Sequence, residues 1–210
     1  MSVYPFNPLD KVHLGESVGQ AMLKQPPQHL ASITSFYGAG IYAIYYTGGF
    51  KSYNEISKRN LGNKFSAPIY VGKAVPSGAR KGNSYSGNTT SLYKRILDHK
   101  KSIEAAVNLD VNDFYFRCLV VDDIWIPLGE SLLIARFYPV WNSIIDGFGN
   151  HAPGKGRYNG MRPRWDVLHP GRTWADKCQP RQETMEQIMH EAENFLLNNP
   201  PPDSNIIIAV

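Results

Sequence analysis

The chain contains 210 residues, of which 22 are Lys or Arg and 18 are Asp or Glu, giving a formal net charge of +4. A chain of this length can bury one full hydrophobic core, so we expect a single domain over residues 1–210. Only two cysteines are present, Cys118 and Cys178, without zinc-ligand spacing, which argues against zinc-binding and disulfide-rich classes. No stretch is long enough to span a membrane, so we expect a cytoplasmic protein without a membrane partner.

The first 37 residues are interpreted as an N-terminal extension. A short helix is expected near Gly15–Lys24, and it should end before Pro26 and Pro27. Proline lacks the backbone N–H that a helix interior needs, so the pair marks a boundary.

Two strands are predicted next, at Gly38–Thr47 and Ala67–Gly72. Both are rich in aromatic and β-branched residues and are bounded by glycine, proline or polar turn residues. Because side chains alternate along a strand, Tyr42 and Tyr46 are expected on one face and Tyr45 on the other.

Two segments beside these strands have the composition of irregular structure. Gly48–Lys64 separates the strands and is rich in Gly, Asn, Lys and Arg, so it is interpreted as an insertion. Pro76–Asn88 is glycine-rich and carries Arg80 and Lys81, which makes it a candidate contact for a polyanion.

A helix is predicted at Leu92–Ala106, which has no Gly or Pro and follows hydroxyl side chains at positions 89–91 that could cap it. At about 100° per residue, Arg95 and His99 fall within the apolar stripe of this helix. Polar side chains on a buried face are costly unless they are paired or functional. The pair is therefore either a satisfied core pair or part of a site.

A third strand is predicted at Phe114–Val121. The largely apolar segment Ile124–Asn142 follows and is interpreted as a buried helix with Pro127 near its start and Pro139 ending it. Glu130 is the only acid in that segment, in what we expect to be the first helical turn. It is explained either by the free N–H groups of the helix terminus or by a metal or catalytic role. Asn142 alone could simply stop the helix.

The remaining sequence forms a C-terminal extension that contains a basic tract. Gly147–Trp174 is rich in Gly, Arg, Pro and Trp, a helix is expected at Gln182–Leu197, and Ile206–Val210 is apolar. Arginine predominates over lysine in the tract and is the better reader of phosphate and guanine. The candidate DNA contacts are Lys155, Arg157, Arg162, Arg164 and Arg172, in addition to Arg80 and Lys81. The alternative is a merely solvated basic face.

Several of these residues occur in an order that resembles the GIY-YIG nuclease superfamily, and within it the type II restriction endonuclease branch. The resemblance covers roughly residues 38–142 and rests on Gly40-Ile41-Tyr42, Tyr70-Val71-Gly72-Lys73, Arg95, Glu130 and Asn142. The tract Trp165–Arg172 also resembles a segment of the restriction-enzyme branch. The insertion at Gly48–Lys64 departs from the short hairpin that usually joins the two triplets.

The resemblance implies an α+β fold, with a mixed or antiparallel central sheet flanked by helices. The catalytic core would span residues 38–146, and residues 147–210 would contact DNA and form a dimer.

The resemblance also implies a set of catalytic roles. Glu130 would hold one Mg²⁺ per active site, since a single carboxylate with substrate phosphate and waters suits that ion. Tyr42 would activate or orient the attacking water. A phenol is a poor base at neutral pH, so we infer from side-chain placement that His99 accepts its proton. The supporting roles are phosphoryl stabilisation by Arg95, nearby charge from Lys73, water or phosphate orientation by Tyr70, and fixing of backbone or metal-water geometry by Asn142.

The implied function is Mg²⁺-dependent, site-specific hydrolysis of both strands of a short palindrome in double-stranded DNA. Two-fold symmetry of the site favours a homodimer on DNA. Alternatives are a homing or repair nuclease with the same core, and a non-catalytic DNA-binding module. Bases would be read by the arginines of the Arg157–Arg172 tract, with the Arg80–Lys81 loop as a second contact, or else from the Gly48–Lys64 insertion.

Overall fold

A computed structural model describes residues 7, 9–76, 88–152 and 158–200. Four of the predicted DNA contacts, Arg80, Lys81, Lys155 and Arg157, and the apolar C-terminal segment lie outside the described residues. The strands are β1 (Gln28–His29), β2 (Gly40–Tyr46), β3 (Pro68–Ala74) and β4 (Phe114–Val120). The α-helices are α1 (Lys11–Leu23), α2 (Asn54–Asn60), α3 (Ser91–Ala105), α4 (Ile126–Phe137), α5 (Val140–Ser143), α6 (Arg164–Leu168) and α7 (Met185–Asn198).

The strands form one open antiparallel sheet in the order β1-β4-β2-β3. β2 pairs in antiparallel fashion with both β3 and β4, so those two strands run parallel to each other on either side of it. A connection between parallel strands must cross over the sheet, and α3 lies in that connection. The predicted α+β class is confirmed, and the sheet is antiparallel.

The two faces of the sheet bury separate clusters of apolar side chains. Tyr42 and Tyr46 lie in the cluster beneath α3, α5, α6 and α7, whereas Tyr45 lies in the cluster beneath α1 and α4. The predicted alternation of the tyrosines along β2 is therefore confirmed. Because Tyr42 faces α3, it can meet the side chains that this helix directs inward.

The Gly48–Lys64 insertion is more ordered than its composition suggested. It contains a 3₁₀ helix at Lys51–Tyr53 followed by α2. It buries Tyr53 and Ile56 in the apolar cluster that contains Tyr42 and Tyr46. The buried amide of Asn60 bonds the backbone of Tyr46 and Ala67, which ties the insertion to the ends of β2 and β3. The insertion is thus part of the core.

Helix boundaries partly match the sequence prediction. Helix α4 ends at Phe137, and Tyr138 adopts a left-handed conformation with φ of 43° before Pro139, so the predicted end at Pro139 is confirmed. Helix α1 begins at Lys11, four residues before the predicted start. Helix α4 begins at Ile126, so Glu130 lies in its second turn, and the expectation of a first-turn position is wrong. Thr90 occupies the N-cap of α3 without a side-chain capping bond, and it is the Thr89 hydroxyl that accepts from the Ser91 N–H at 3.2 Å.

None of the helices in the described ranges is long and apolar enough to cross a membrane.

Candidate active site

Strands β2 and β3 place Tyr42 and Tyr70 side by side. Tyr42 pairs with Gly72 and Ile44 pairs with Tyr70, and the two tyrosine rings lie with centroids 6.2 Å apart. A Cβ atom at position 72 would lie 2.4 Å from the Tyr42 hydroxyl oxygen. Glycine at this position therefore leaves room for that hydroxyl, which any larger residue would contact too closely.

Helix α3 brings two polar side chains to the tyrosines, as its predicted face required. The Tyr42 hydroxyl lies 2.6 Å from His99 Nε2, and His99 is buried with 2% exposure. The Arg95 guanidinium lies near both hydroxyls and acts to lower the pKa of Tyr42 and of Tyr70. The structure therefore assembles Tyr42, Tyr70, Arg95 and His99 in one cluster.

Residues 147–151, which follow α5, complete the cluster. The Phe148 ring stacks on His99 with centroids 4.4 Å apart and planes 16° from parallel. Arg95 Nη2 donates to the Gly149 carbonyl oxygen at 2.9 Å, and Nη1 is bonded to His151 Nε2. This segment was not predicted as part of the site, and its one local signal is an aromatic residue, Phe148, flanked by Gly147 and Gly149.

Burial sets the protonation states of the central pair. It raises the pKa of Tyr42 well above 10, an effect that neighbouring Tyr70 reinforces. Burial also lowers the pKa of His99 well below 6.5, with smaller contributions from Arg95, His151 and Arg172. Both groups are therefore neutral near pH 7. With the His99 proton on Nδ1, the phenol donates its hydrogen bond to Nε2, the geometry needed for transfer of that proton to the imidazole.

Glu130 extends from α4 towards the exposed edge strand β3. One of its carboxylate oxygens lies 2.6 Å from Lys73 Nζ, and the side chains are 17% and 39% exposed respectively. Burial raises the pKa of Tyr70 as it does that of Tyr42, and the Glu130 carboxylate adds a smaller increase to the pKa of both tyrosines.

Glu130 is the acidic side chain available here for a metal ion. Among the described residues no three His, Cys, Asp or Glu side chains group as metal ligands. A single accessible carboxylate fits Mg²⁺, which binds through one or two carboxylates and completes its shell with waters and substrate phosphate. It does not fit an ion that requires a full set of protein ligands.

Asn142 lies in α5 and holds the backbone of β3. Its Oδ1 accepts from the Val71 N–H at 2.8 Å, and its Nδ2 donates to the Val71 carbonyl at 2.8 Å. Val71 lies between Tyr70 and Gly72, so these two bonds fix the strand that carries part of the site. Two roles were predicted for Asn142, fixing backbone geometry or fixing metal-water geometry, and its contacts match the first.

The structure does not place Arg172 where the sequence suggested. Arg172 is 5% exposed and bonds its whole guanidinium to Asp166 and to backbone carbonyls, which leaves no N–H for DNA. Arg172 is therefore excluded from the DNA contacts proposed for this chain.

Two further arginines of this tract are engaged within the chain. Arg162 bonds the Ala175 carbonyl and Asp176, and its side chain is 28% exposed. Arg164 bonds the Ile144 carbonyl and pairs with two glutamates, and its side chain is 13% exposed. Arg162 is thus the more accessible of the two to a phosphate.

Comparison with known proteins agrees with this arrangement. The family model for the Eco29kI GIY-YIG domain matches residues 34–196, more than three quarters of the 210-residue chain. No curated protein matched the chain. The matched span includes both motif strands, α3, α4 and the segment that contacts Arg95 and His99. The chain therefore belongs to the Eco29kI-type family of GIY-YIG nucleases.

Proposed function

We propose that the chain is a Mg²⁺-dependent type II restriction endonuclease that hydrolyses both strands of a short palindromic site in double-stranded DNA. The observation that carries the proposal is the convergence of Tyr42, Tyr70, Arg95 and His99 beside the carboxylate of Glu130. A module that only bound DNA would have no need of a buried phenol–imidazole pair next to an acid. Nuclease activity itself follows from family membership.

The residues would divide the work of phosphodiester hydrolysis. Tyr42 would take a proton from the attacking water as its own hydroxyl proton passes to His99 Nε2, so that one proton moves from the water to the imidazole. Arg95 would stabilise the charge that develops on the phosphoryl oxygens. Tyr70 would orient the phosphate or the water.

Glu130 would hold the metal ion, and Lys73 would exchange its ion pair with Glu130 for a substrate phosphate. Bound Mg²⁺ would supply positive charge at the phosphate. Asn142 would keep β3 in position.

Replacement of His99 tests its role as proton acceptor. The buried imidazole should remain neutral as pH falls through 6.5, because its pKa is lowered, so we expect a single-turnover rate without an acid limb near 6.5. His99→Ala should lower the rate about 100-fold or more, as loss of a general base typically does. Rates measured between pH 5.5 and 8.5 check this, with the exposed His190→Ala as control. A nearly intact rate with an unchanged profile in His99→Ala would exclude the role.

The assembly follows from the symmetry of the substrate. A palindrome presents two phosphates related by a two-fold axis, and each chain carries one catalytic set, so we propose a homodimer on DNA. We further propose that residues 1–210 act as a single nuclease domain. Phosphate contacts are assigned to Arg162, Arg164 and the basic segments around residues 80 and 155. Base reading falls to those segments or to the insertion at residues 48–64.

Digestion of a plasmid of known sequence tests the function. We expect discrete fragments with Mg²⁺ and none with EDTA, and the fragment ends would give the recognition site and the stagger. Scattered nicks would instead favour a homing or repair nuclease, and binding without cleavage would favour a non-catalytic module. Sedimentation of the chain with a cognate duplex in EDTA should give the mass of two chains on one DNA, and one chain per duplex would contradict the dimer.

A further inference from the structure

Arg172 and Asp166 form a buried ion pair. The guanidinium N–H groups that do not bond Asp166 all donate to backbone carbonyls of one short segment. Two guanidinium nitrogens donate to the two Asp166 oxygens at 2.6 and 2.5 Å. The remaining donors reach the carbonyls of Gly147 at 2.9 Å and of Phe148 and Asn150 at 3.1 Å. The five N–H groups of the guanidinium are therefore all bonded within the chain.

The surroundings fix the position of this guanidinium. It contacts two indole rings, with Cζ 4.5 Å from the Trp165 centroid and 4.8 Å from the Trp174 centroid. Trp165 and Asp166 are consecutive residues of the short helix α6, and both are buried. The side chain thus has little freedom to move away from the backbone that it holds.

The stretch held by Arg172 contacts the catalytic cluster through its other groups. Phe148 stacks on His99, and the Gly149 carbonyl accepts a hydrogen bond from Arg95. Arg172 binds the carbonyls of Gly147 and Phe148, which precede Gly149, and the carbonyl of Asn150, which follows it. A change in the Arg172 contacts would therefore be transmitted to both Arg95 and His99.

A buried ion pair is weak evidence for stability, because desolvation of the charges offsets much of their attraction. Its arrangement here suggests a geometric role. Three directed bonds from one rigid planar group, which two further bonds hold to Asp166, define the path of a short segment more narrowly than apolar packing does.

We propose that Arg172, held by Asp166, is a positioning residue for catalysis: it fixes residues 147–151 so that Phe148 and Gly149 orient His99 and Arg95. The proposal rests on the proposed nuclease function for its kinetic consequences. Arg172 touches neither the substrate nor the reacting atoms, and it acts only through this segment.

The main test is the double variant Asp166→Asn/Arg172→Gln, which removes both charges and so avoids leaving a buried carboxylate unpaired. At saturating DNA, and at a temperature where circular dichroism shows the variant folded, single-turnover cleavage should slow by about 10- to 100-fold, as small misplacements of catalytic groups do. The Kd for DNA and its salt dependence should be unchanged. A weaker Kd with a flatter salt dependence would instead make Arg172 a DNA contact and overturn the proposal.

Two further variants separate geometry from other effects. Arg117→Gln is the matched structural control, since Arg117 is a partly buried arginine of β4 that bonds the Tyr45 hydroxyl and the Phe65 carbonyl, away from this segment. It should lower stability while leaving the cleavage rate of the folded protein intact. Arg172→Lys keeps the charge but cannot make five directed bonds, so it should cleave nearly as slowly as the double variant. Full activity of Arg172→Lys would show that charge alone matters and would overturn the proposal.

Hydrogen exchange tests the same arrangement without relying on cleavage. Backbone amides of residues 147–152 should exchange faster in the double variant than in the wild type, and Arg117→Gln should not change them. Unchanged exchange in the double variant would overturn the proposal. If the wild-type chain cleaved no DNA, the proposed function would fail, and this measurement would still decide whether Arg172 holds the segment.

Discussion

Glu130→Gln is expected to abolish Mg²⁺-dependent cleavage, with a loss of about 1,000-fold or more in single-turnover rate. The amide keeps the size of the side chain but loses the charge that would bind the metal ion. DNA binding, measured in EDTA, should be retained or slightly tighter, because Lys73 loses the carboxylate partner that lies 2.6 Å from it.

The control for this variant is Glu104→Gln. Glu104 is on α3 with its side chain 44% exposed, and its change removes the same charge from the surface. It should cleave like the wild type. Retention of Mg²⁺-dependent cleavage by Glu130→Gln would show that the metal is held elsewhere.

Arg95→Ala should lower the single-turnover rate by about 100- to 1,000-fold, the usual cost of losing one donor to transition-state charge. The guanidinium lies near the hydroxyls of Tyr42 and Tyr70, where a reacting phosphate would need stabilisation. The measurement is the cleavage rate at saturating DNA together with the Kd for the same duplex.

Lys94→Ala removes the same charge from the adjacent, exposed position of α3 and is the matched control. It should affect only the Kd, and only slightly. If Arg95→Ala changed the Kd or KM alone and left the rate at saturating DNA intact, Arg95 would be a binding residue. Arg95→Lys should fall between wild type and Ala, since an ammonium keeps the charge but not the planar donor pattern.

The sequence specified the elements of the fold well, because their signals are local. Aromatic alternation along β2 correctly placed Tyr42 opposite Tyr45, and helical periodicity correctly placed His99 on the buried face of α3. The end of α4 just before Pro139 was correctly predicted, because proline cannot continue a helix, whereas the left-handed conformation of Tyr138 leaves no local pattern in the sequence.

The candidate site was predicted less completely, since several of its contacts join residues distant in sequence. The approach of Phe148 and Gly149 to α3 depends on how residues 147–151 turn back after α5, and no local period encodes that path. Arg172 shows a different error, since a DNA contact was predicted for a side chain that the structure buries. An arginine in a basic tract suggested a DNA contact, but its partners are a buried aspartate and three carbonyls that the sequence alone could not place beside it.

The two hydrogen bonds from Asn142 to Val71 also bear on how the chain behaves in a crowded solution. β3 is an edge strand among the described residues, and an edge strand offers free backbone groups to which a strand of another chain can add. The Asn142 amide occupies both the N–H and the carbonyl of Val71 in the middle of that strand. One side chain thus interrupts the row of groups on which edge-to-edge aggregation would begin, and it does so on the strand that carries Tyr70 and Lys73.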